Sequence, residues 1–214
     1  SFFFVVDGKT AKFLGSAQDY KRVGEKNTGL NTGGMGCISP SPFENKENID
    51  LVKKQFIEPT IKVMNTLGYP FNGILYAGLM FTKSGIHLIE YNVRLGDPEC
   101  QALMLRLKNS FLDICIATNK KKLNKIKINL DNMTSICIVL ASKGYPESYK
   151  SGYIIKGLKK IKDKNATVYH AGTKLSKNKD IITNGGRVLN LVVKENSLHK
   201  AKIKAYDLIK NINS

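Results

Sequence analysis

The 214-residue sequence is poor in several familiar signals. Its four cysteines, Cys37, Cys100, Cys115 and Cys137, form no CxxC pair and have no His/Cys ligand spacing. That argues against a zinc site or a disulfide framework. It favours reduced thiols in the cytoplasm. No apolar run approaches the roughly 18 residues of a membrane span, so no membrane partner is expected. No Gly-Lys-Ser or Gly-Lys-Thr follows the glycine-rich stretch, which excludes a Walker loop. No strand–helix context there fits a dinucleotide fingerprint. Acidic residues are scarce, and the formal charge is +17. The imbalance lies in residues 108–214, with 22 Lys+Arg against 7 Asp+Glu; residues 1–107 hold 12 against 10. These lysines are spread over loops and polar faces without an aromatic platform or an RNP-like motif. A Lys/Asn/Ile compositional bias accounts for them, and no nucleic-acid partner is expected. A basic nucleic-acid-binding module stays as the alternative from a different class.

What is present centres on Gly73–Gln101, GILYAGLMFTKSGIHLIEYNVRLGDPECQ. The apolar runs Ile74–Phe81 and Ile86–Tyr91 flank Thr82-Lys83-Ser84-Gly85, which predicts a β-hairpin with a four-residue loop. The second strand delivers Glu90, Asn92 and Arg94 at spacing two, so all three share one face. A carboxylate, an amide oxygen and a guanidinium suit a Mg²⁺–phosphate site. A solvated strand face with an incidental ion pair fits the same spacing.

Elsewhere, Ser1–Val6 and Thr10–Leu14 read as another hairpin. A chain does not usually begin inside a strand, so a fragment lacking its preceding sequence is expected. Val23–Pro42 reads as a long irregular loop. Its Thr28-Gly29-Leu30-Asn31-Thr32-Gly33-Gly34-Met35-Gly36 centre, with four glycines, allows close backbone approach to a ligand and an anion-binding nest; a loop of that length is otherwise read as disordered. Asn48–Leu67 has helical periodicity, with Pro59 expected to kink or split it. Asp97 precedes a helix over Cys100–Leu107, as a cap or a site residue. A helix over Ser110–Thr118 and a basic linker at Lys120–Lys127 follow. Strands are expected at Ser135–Ala141, Tyr153–Ile155, Thr167–His170 and Arg187–Val193. A helix capped by Ser197 runs to Ile212. Thr183-Asn184-Gly185-Gly186-Arg187 carries a Gly-Gly hairpin signal, and Arg187 at its exit could hold a phosphate.

Taken together, Ser16-Ala17-Gln18-Asp19-x-Lys21-Arg22, Asn31–Gly36, Ser39-Pro40-x-Pro42, Glu90-x-Asn92-x-Arg94-x-Gly96-Asp97-Pro98-Glu99-x-Gln101 and Thr183–Leu189 resemble one family. It is the glycinamide ribonucleotide synthetases (phosphoribosylamine–glycine ligases) of the ATP-grasp superfamily. The resemblance covers essentially the whole chain. It implies an α+β (α/β) fold: the C-terminal lobe of an ATP-grasp domain over residues 1–107, then a small mixed C-terminal domain over 108–214. The implied reaction joins glycine to 5-phosphoribosylamine through a glycyl phosphate, using ATP and Mg²⁺ or Mn²⁺, in a cytoplasmic protein that is a monomer at full length. Glu90 and Asn92 are the implied metal ligands. The resemblance places Arg94 on the transferred phosphoryl group or the acyl phosphate, and has Asp97 orient the site or the amino substrate. Asp19, Lys21, Arg22, Asn31, Thr32, Gly33, Gly34 and Gly36 would hold glycine or phosphoribosylamine, with Arg187 closing the site. Tyr20, Asn27 and Leu30 depart from the family's usual His, Asp and Pro, which implies a more flexible loop. The family's N-terminal portion, with the adenine pocket, is not in this sequence, so the 214 residues alone are expected not to turn over. Another ATP-grasp carboxylate–amine ligase would share Glu90 and Asn92 but not the combined glycine-rich segments.

Overall fold

The computed structural model describes residues 1–213. The fold is α+β and divides into two compact units, each drawn from several stretches of chain. The first comprises Ser1–Gln18, Pro40–Gly96 and Leu107–Asp131. The second comprises Asp19–Ser39, Asp97–Arg106 and 132–213.

The first unit is a four-stranded antiparallel sheet ordered Ala11–Ser16, Phe2–Asp7, Asn72–Thr82, Gly85–Asn92. Phe2, Phe4 and Val6 face a core with Leu75 and Ala77, closed by Val52, Ile57 and Ile61 from the helical layer. Phe3 faces the opposite way, its ring centroid 4.6 Å from that of Tyr76. The Phe111–Asn119 helix lies against the Phe2–Asp7 and Asn72–Thr82 strands. Burial on both faces explains why this strand is an unbroken apolar run rather than an alternating one.

The helical layer shows how Pro59 is accommodated. Lys46–Val52 is α-helical, Lys53–Ile57 is a π-helical turn, and Glu58–Thr66 is α-helical again with the proline in its first turn. The Glu58 N–H donates to Lys53 O, five residues back. The wider turn relieves the clash a proline would make with the carbonyl four residues before it.

The second unit is built on a five-stranded sheet ordered Ala166–His170, Arg187–Glu195, Thr134–Ala141, Gly36–Ser39, 18–19. Leu191 and Val193 pack with Ala205 of the Leu198–Ile209 helix. Cys37, Cys137 and Val192 pack on the other side with Ala102 of the Glu99–Arg106 helix. Ser197 caps the Leu198–Ile209 helix, its Oγ accepting from Lys200 N at 3.3 Å.

Four expectations change. Val23–Pro42 is not irregular throughout: Arg22–Gly24 pairs with Thr28–Asn31, and Gly36–Ser39 is a sheet strand beside Thr134–Ala141. Three apolar or small residues after a glycine give too short a run to read as a strand. Thr82 pairs with Gly85, so the hairpin turn has only Lys83 and Ser84 between paired positions. Tyr153–Ile155 forms one isolated bridge, Ile154 with Ile182, instead of a strand. The Gly-Gly segment is not a hairpin. Ile181–Thr183 pairs with Thr173–Leu175, whereas Arg187–Glu195 joins the five-stranded sheet.

Candidate active site

In the first unit the site residues sit at the end of the Gly85–Asn92 strand. Leu79 pairs with Leu88 but Gly78 pairs with Glu90, so Ile89 is an extra residue, a β-bulge. The bulge reverses the alternation. Ile86, Leu88 and Tyr91 all pack on the core, and Glu90 and Asn92 fall on the opposite face. Without it, Glu90 would follow Ile86 and Leu88 inward. Gly78 leaves room across the strand: a Cβ there would lie 3.1 Å from Glu90 Cγ. Asn92 Nδ2 donates to Glu90 Oε1 at 3.0 Å. The pair brings a carboxylate and an amide together on this face, groups whose oxygens are hard donors of the kind Mg²⁺ takes. Arg94 is exposed, and its Nη1 donates to Leu95 O at 3.0 Å.

In the second unit Arg187 gathers the glycine-rich loop and the Asp97 turn. Its Nη1 donates to Gly33 O at 2.8 Å, Gly34 O at 3.4 Å and Asp97 O at 2.7 Å. Its Nη2 lies 3.3 Å from Asp97 Oδ2. Asp97 Oδ1 accepts from Gln101 Nε2 at 3.0 Å, so Asp97 serves side chains here. Thr32 Oγ1 donates to Lys21 O at 2.8 Å and accepts from Gly34 N at 3.0 Å, fixing the loop from within. Gly36 joins the sheet, and its carbonyl accepts from Tyr20 N.

Asp19 is the buried charge of this region. Its side chain is 7% exposed, with Lys21 Nζ 3.9 Å from Oδ2. Burial, and then the neighbouring Glu99 carboxylate, push its carboxyl up to about 6. Lys21, a backbone hydrogen bond and Arg187 oppose that rise. Oδ1 has no hydrogen-bond partner. Gly34, with φ +113°, lies directly against it: a Cβ there would be 2.8 Å from Oδ1 and 2.6 Å from Pro98 Cδ.

Of the residues expected at a site, the second unit therefore joins Asp19, Lys21, Thr32, Gly33, Gly34, Asp97 and Arg187 in one network. Arg22 is turned to Gly29 O at 2.8 Å, and Asn31 is exposed. Residues not named among the expected site residues also take part. Tyr145 OH accepts from Gly33 N at 3.1 Å, across 112 positions. Gln101 leaves a buried, unpartnered Oε1. Buried Glu99 acts electrostatically on Asp19. The Gly186 backbone lies against the Tyr145 ring, with no room for a Cβ.

Residues 1–100 match the family described as phosphoribosylglycinamide synthetase, ATP-grasp (A) domain, and residues 135–214 match the C domain of the same synthetase. The phosphoribosylamine–glycine ligase of Brucella melitensis is 44% identical over 213 residues, covering 99% of this chain and 50% of its own length. The one from Vigna unguiculata is 45% identical over 217 residues, covering 100% of this chain and 70% of its own. The crystal structure of the Thermotoga maritima phosphoribosylamine–glycine ligase superposes with a TM-score of 0.84 at 28% identity, over 99% of this chain and 52% of that one. The chain thus spans about half the length of most of these relatives.

Proposed function

Because the chain belongs to the phosphoribosylglycinamide synthetase family, we propose that it supplies part of the site that joins glycine to 5-phosphoribosylamine with cleavage of ATP. The chemistry passes a phosphoryl group to a carboxylate and then displaces phosphate with an amine. It needs neutralisation of charge between anions rather than a covalent nucleophile.

The observation that carries the proposal is the outward pair Glu90–Asn92. Its hydrogen bond holds a carboxylate and an amide side by side, and both supply the hard oxygen donors that a divalent cation takes. When bound, Mg²⁺ supplies Lewis-acid stabilisation of phosphoryl oxygens. Arg94, exposed in the bend just beyond the strand end, offers a guanidinium to the same kind of oxygen. Asp97 and Arg187 hold the Asn31–Gly36 loop in shape for the amino substrates, with Asp19, Lys21 and Arg22 beside it in sequence. This reading keeps residues 1–107 as the lobe of the ATP-grasp domain and 108–214 as the C-terminal domain. The two family matches, over residues 1–100 and 135–214, lie one on each side of that boundary.

The test is ATP- and glycine-dependent phosphate release, with phosphoribosylamine as acceptor, by the full-length gene product. Product formation that requires all three substrates is expected. Its absence in a folded preparation would overturn the reading. The 214-residue chain tested alone is expected to be inactive.

A further inference from the structure

From Thr32 to Met35 the glycine-rich loop has every N–H engaged. Thr32 N donates to Lys21 O at 2.8 Å, and Met35 N to Tyr20 O at 2.8 Å. Gly34 N donates to Thr32 Oγ1 at 3.0 Å, and Gly33 N to Tyr145 OH at 3.1 Å. The anion-binding nest that the sequence allows is therefore closed by the protein's own acceptors. All but one of these bonds stay within residues 20–35. The bond to Tyr145 reaches across 112 positions.

Glycine loses more conformational freedom on ordering than any other residue, so a Gly-Gly step needs ties to hold one shape. Both polar groups of Gly33 are tied from outside the loop, the N–H by Tyr145 and the C=O by Arg187 Nη1 at 2.8 Å. The two ties share one platform. Ser142 N donates to Gly186 O at 2.8 Å, and Ser142 Oγ donates to Gly185 O at 2.8 Å. Tyr145 N returns to Ser142 O at 3.1 Å. The Tyr145 ring then lies against the Gly186 backbone, where a Cβ would not fit. The Gly185-Gly186-Arg187 step thus carries one tie directly and seats the other. That gives a physical reason for a Gly-Gly pair that is not a hairpin turn.

We propose that Tyr145 is a positioning residue for the ligase reaction. Its hydroxyl fixes the Gly33 peptide and keeps the Asn31–Gly36 loop in its substrate-holding shape before substrate arrives. This rests on the ligase reading above. The bond is exposed, so it adds little to the stability of the fold. Its effect is on order. A loop already ordered costs a ligand no further conformational entropy. Loss of the hydroxyl adds that cost to the ground state and the transition state alike, which raises KM and leaves kcat in place. The loop is assigned to the amino substrates, so the KM for ATP does not share the change.

The experiment uses Tyr145→Phe, which keeps the ring on Gly186 and removes one oxygen. In the full-length gene product the KM for glycine or phosphoribosylamine should rise at least about fivefold, with kcat and the KM for ATP within about twofold. A fall in kcat, a rise in the KM for ATP, or no change in any KM overturns the proposal. So does a lowered thermal midpoint without a rise in KM, the mark of a merely structural bond. A second arm reads the loop itself, by amide hydrogen exchange in the 214-residue chain. Exchange should quicken at least about tenfold at both Gly33 and Gly34 and stay unchanged in Thr134–Ala141. No quickening, or quickening at Gly33 alone, also overturns the proposal. If the wild-type full-length product shows no ligase activity, the function proposed above is wrong, and exchange alone decides whether Tyr145 positions the loop. If the variant fails to fold, exchange in the wild type decides: a Gly33 amide protected like that of Gly34 supports the proposal, and an unprotected one overturns it.

Discussion

Glu90 and Asn92 stand on the outward face of their strand and bond to each other. Around Asp97, by contrast, most polar atoms are engaged within the protein: one guanidinium serves three carbonyls and a carboxylate. The first region presents groups and the second shapes a loop. Arginine shows the difference within one residue type. Arg94 is exposed beyond the strand end, whereas Arg187 has a side chain 23% exposed and spends its hydrogen bonds on backbone. Chemical type alone does not say whether a charged side chain meets a ligand or holds a loop. The count of donors and acceptors already used does.

The sharpest break of this comparison is Glu90→Gln in the full-length gene product. The substitution keeps shape and hydrogen-bonding reach and removes the charge that attracts a cation. Ligase activity should fall at least a hundredfold, about 3 kcal/mol of transition-state stabilisation. The thermal melt should not move, since the side chain is exposed. Near-normal activity at saturating Mg²⁺ would show that the strand face is only solvated.

Arg187→Ala tests the other side. It strips donors from Gly33 O, Gly34 O and Asp97 O and leaves Asp97 without its cation. Stability should drop by about 2 kcal/mol, read as a lowered urea midpoint. Amide exchange should quicken in Thr32–Gly36. If the midpoint holds and only substrate KM values rise, Arg187 belongs with the presenting groups.

A smaller effect distinguishes Asp19 from the exposed carboxylate of Glu90. Its folded-state carboxyl is raised to about 6 from an ordinary 3.8. Between about pH 4 and 6 the folded chain keeps a proton that the unfolded chain has lost. Stability from this group is therefore fully present below about pH 4 and declines as pH rises through 6. Urea midpoints of wild type and Asp19→Asn should diverge over that window, the variant becoming more stable by about 1–2 kcal/mol at pH 7. A constant gap would mean that Asp19 is solvated in the folded chain.

These contrasts also show what the sequence could and could not reveal. The hairpin and the helices follow from local periodicity and spacing, whereas the expected shared face of Glu90, Asn92 and Arg94 holds only for Glu90 and Asn92, because the strand ends at Asn92 and Arg94 lies in a bend beyond it. The bulge at Ile89 does not follow from spacing, because a bulge is a property of pairing with Gly78 and Leu79 rather than of the strand itself. Asp19 could be named as a site residue, but its surroundings, the Gly34 backbone against its carboxyl and the Glu99 charge, come from two later stretches. Tyr145 was invisible for the same reason: its hydroxyl meets a loop 112 positions away. The strand at Gly36–Ser39 is recognisable only once Thr134–Ala141 lies beside it.

The finest test uses neighbours on one strand. Tyr91 follows Glu90 but points to the core, its hydroxyl donating to Phe56 O at 2.9 Å beside Thr60 Oγ1 at 2.9 Å. The bulge alone separates their roles, since unbroken alternation from Leu88 would have put Glu90 inside and Tyr91 out. Tyr91→Phe should therefore cost about 1 kcal/mol of stability and leave kcat and the Mg²⁺ dependence unchanged, the inverse of Glu90→Gln. The two variants together form a register assay. Should Tyr91→Phe instead alter the Mg²⁺ dependence without lowering the melt, the strand would be paired in solution without the extra residue, and the metal-binding face would be the one that carries Tyr91.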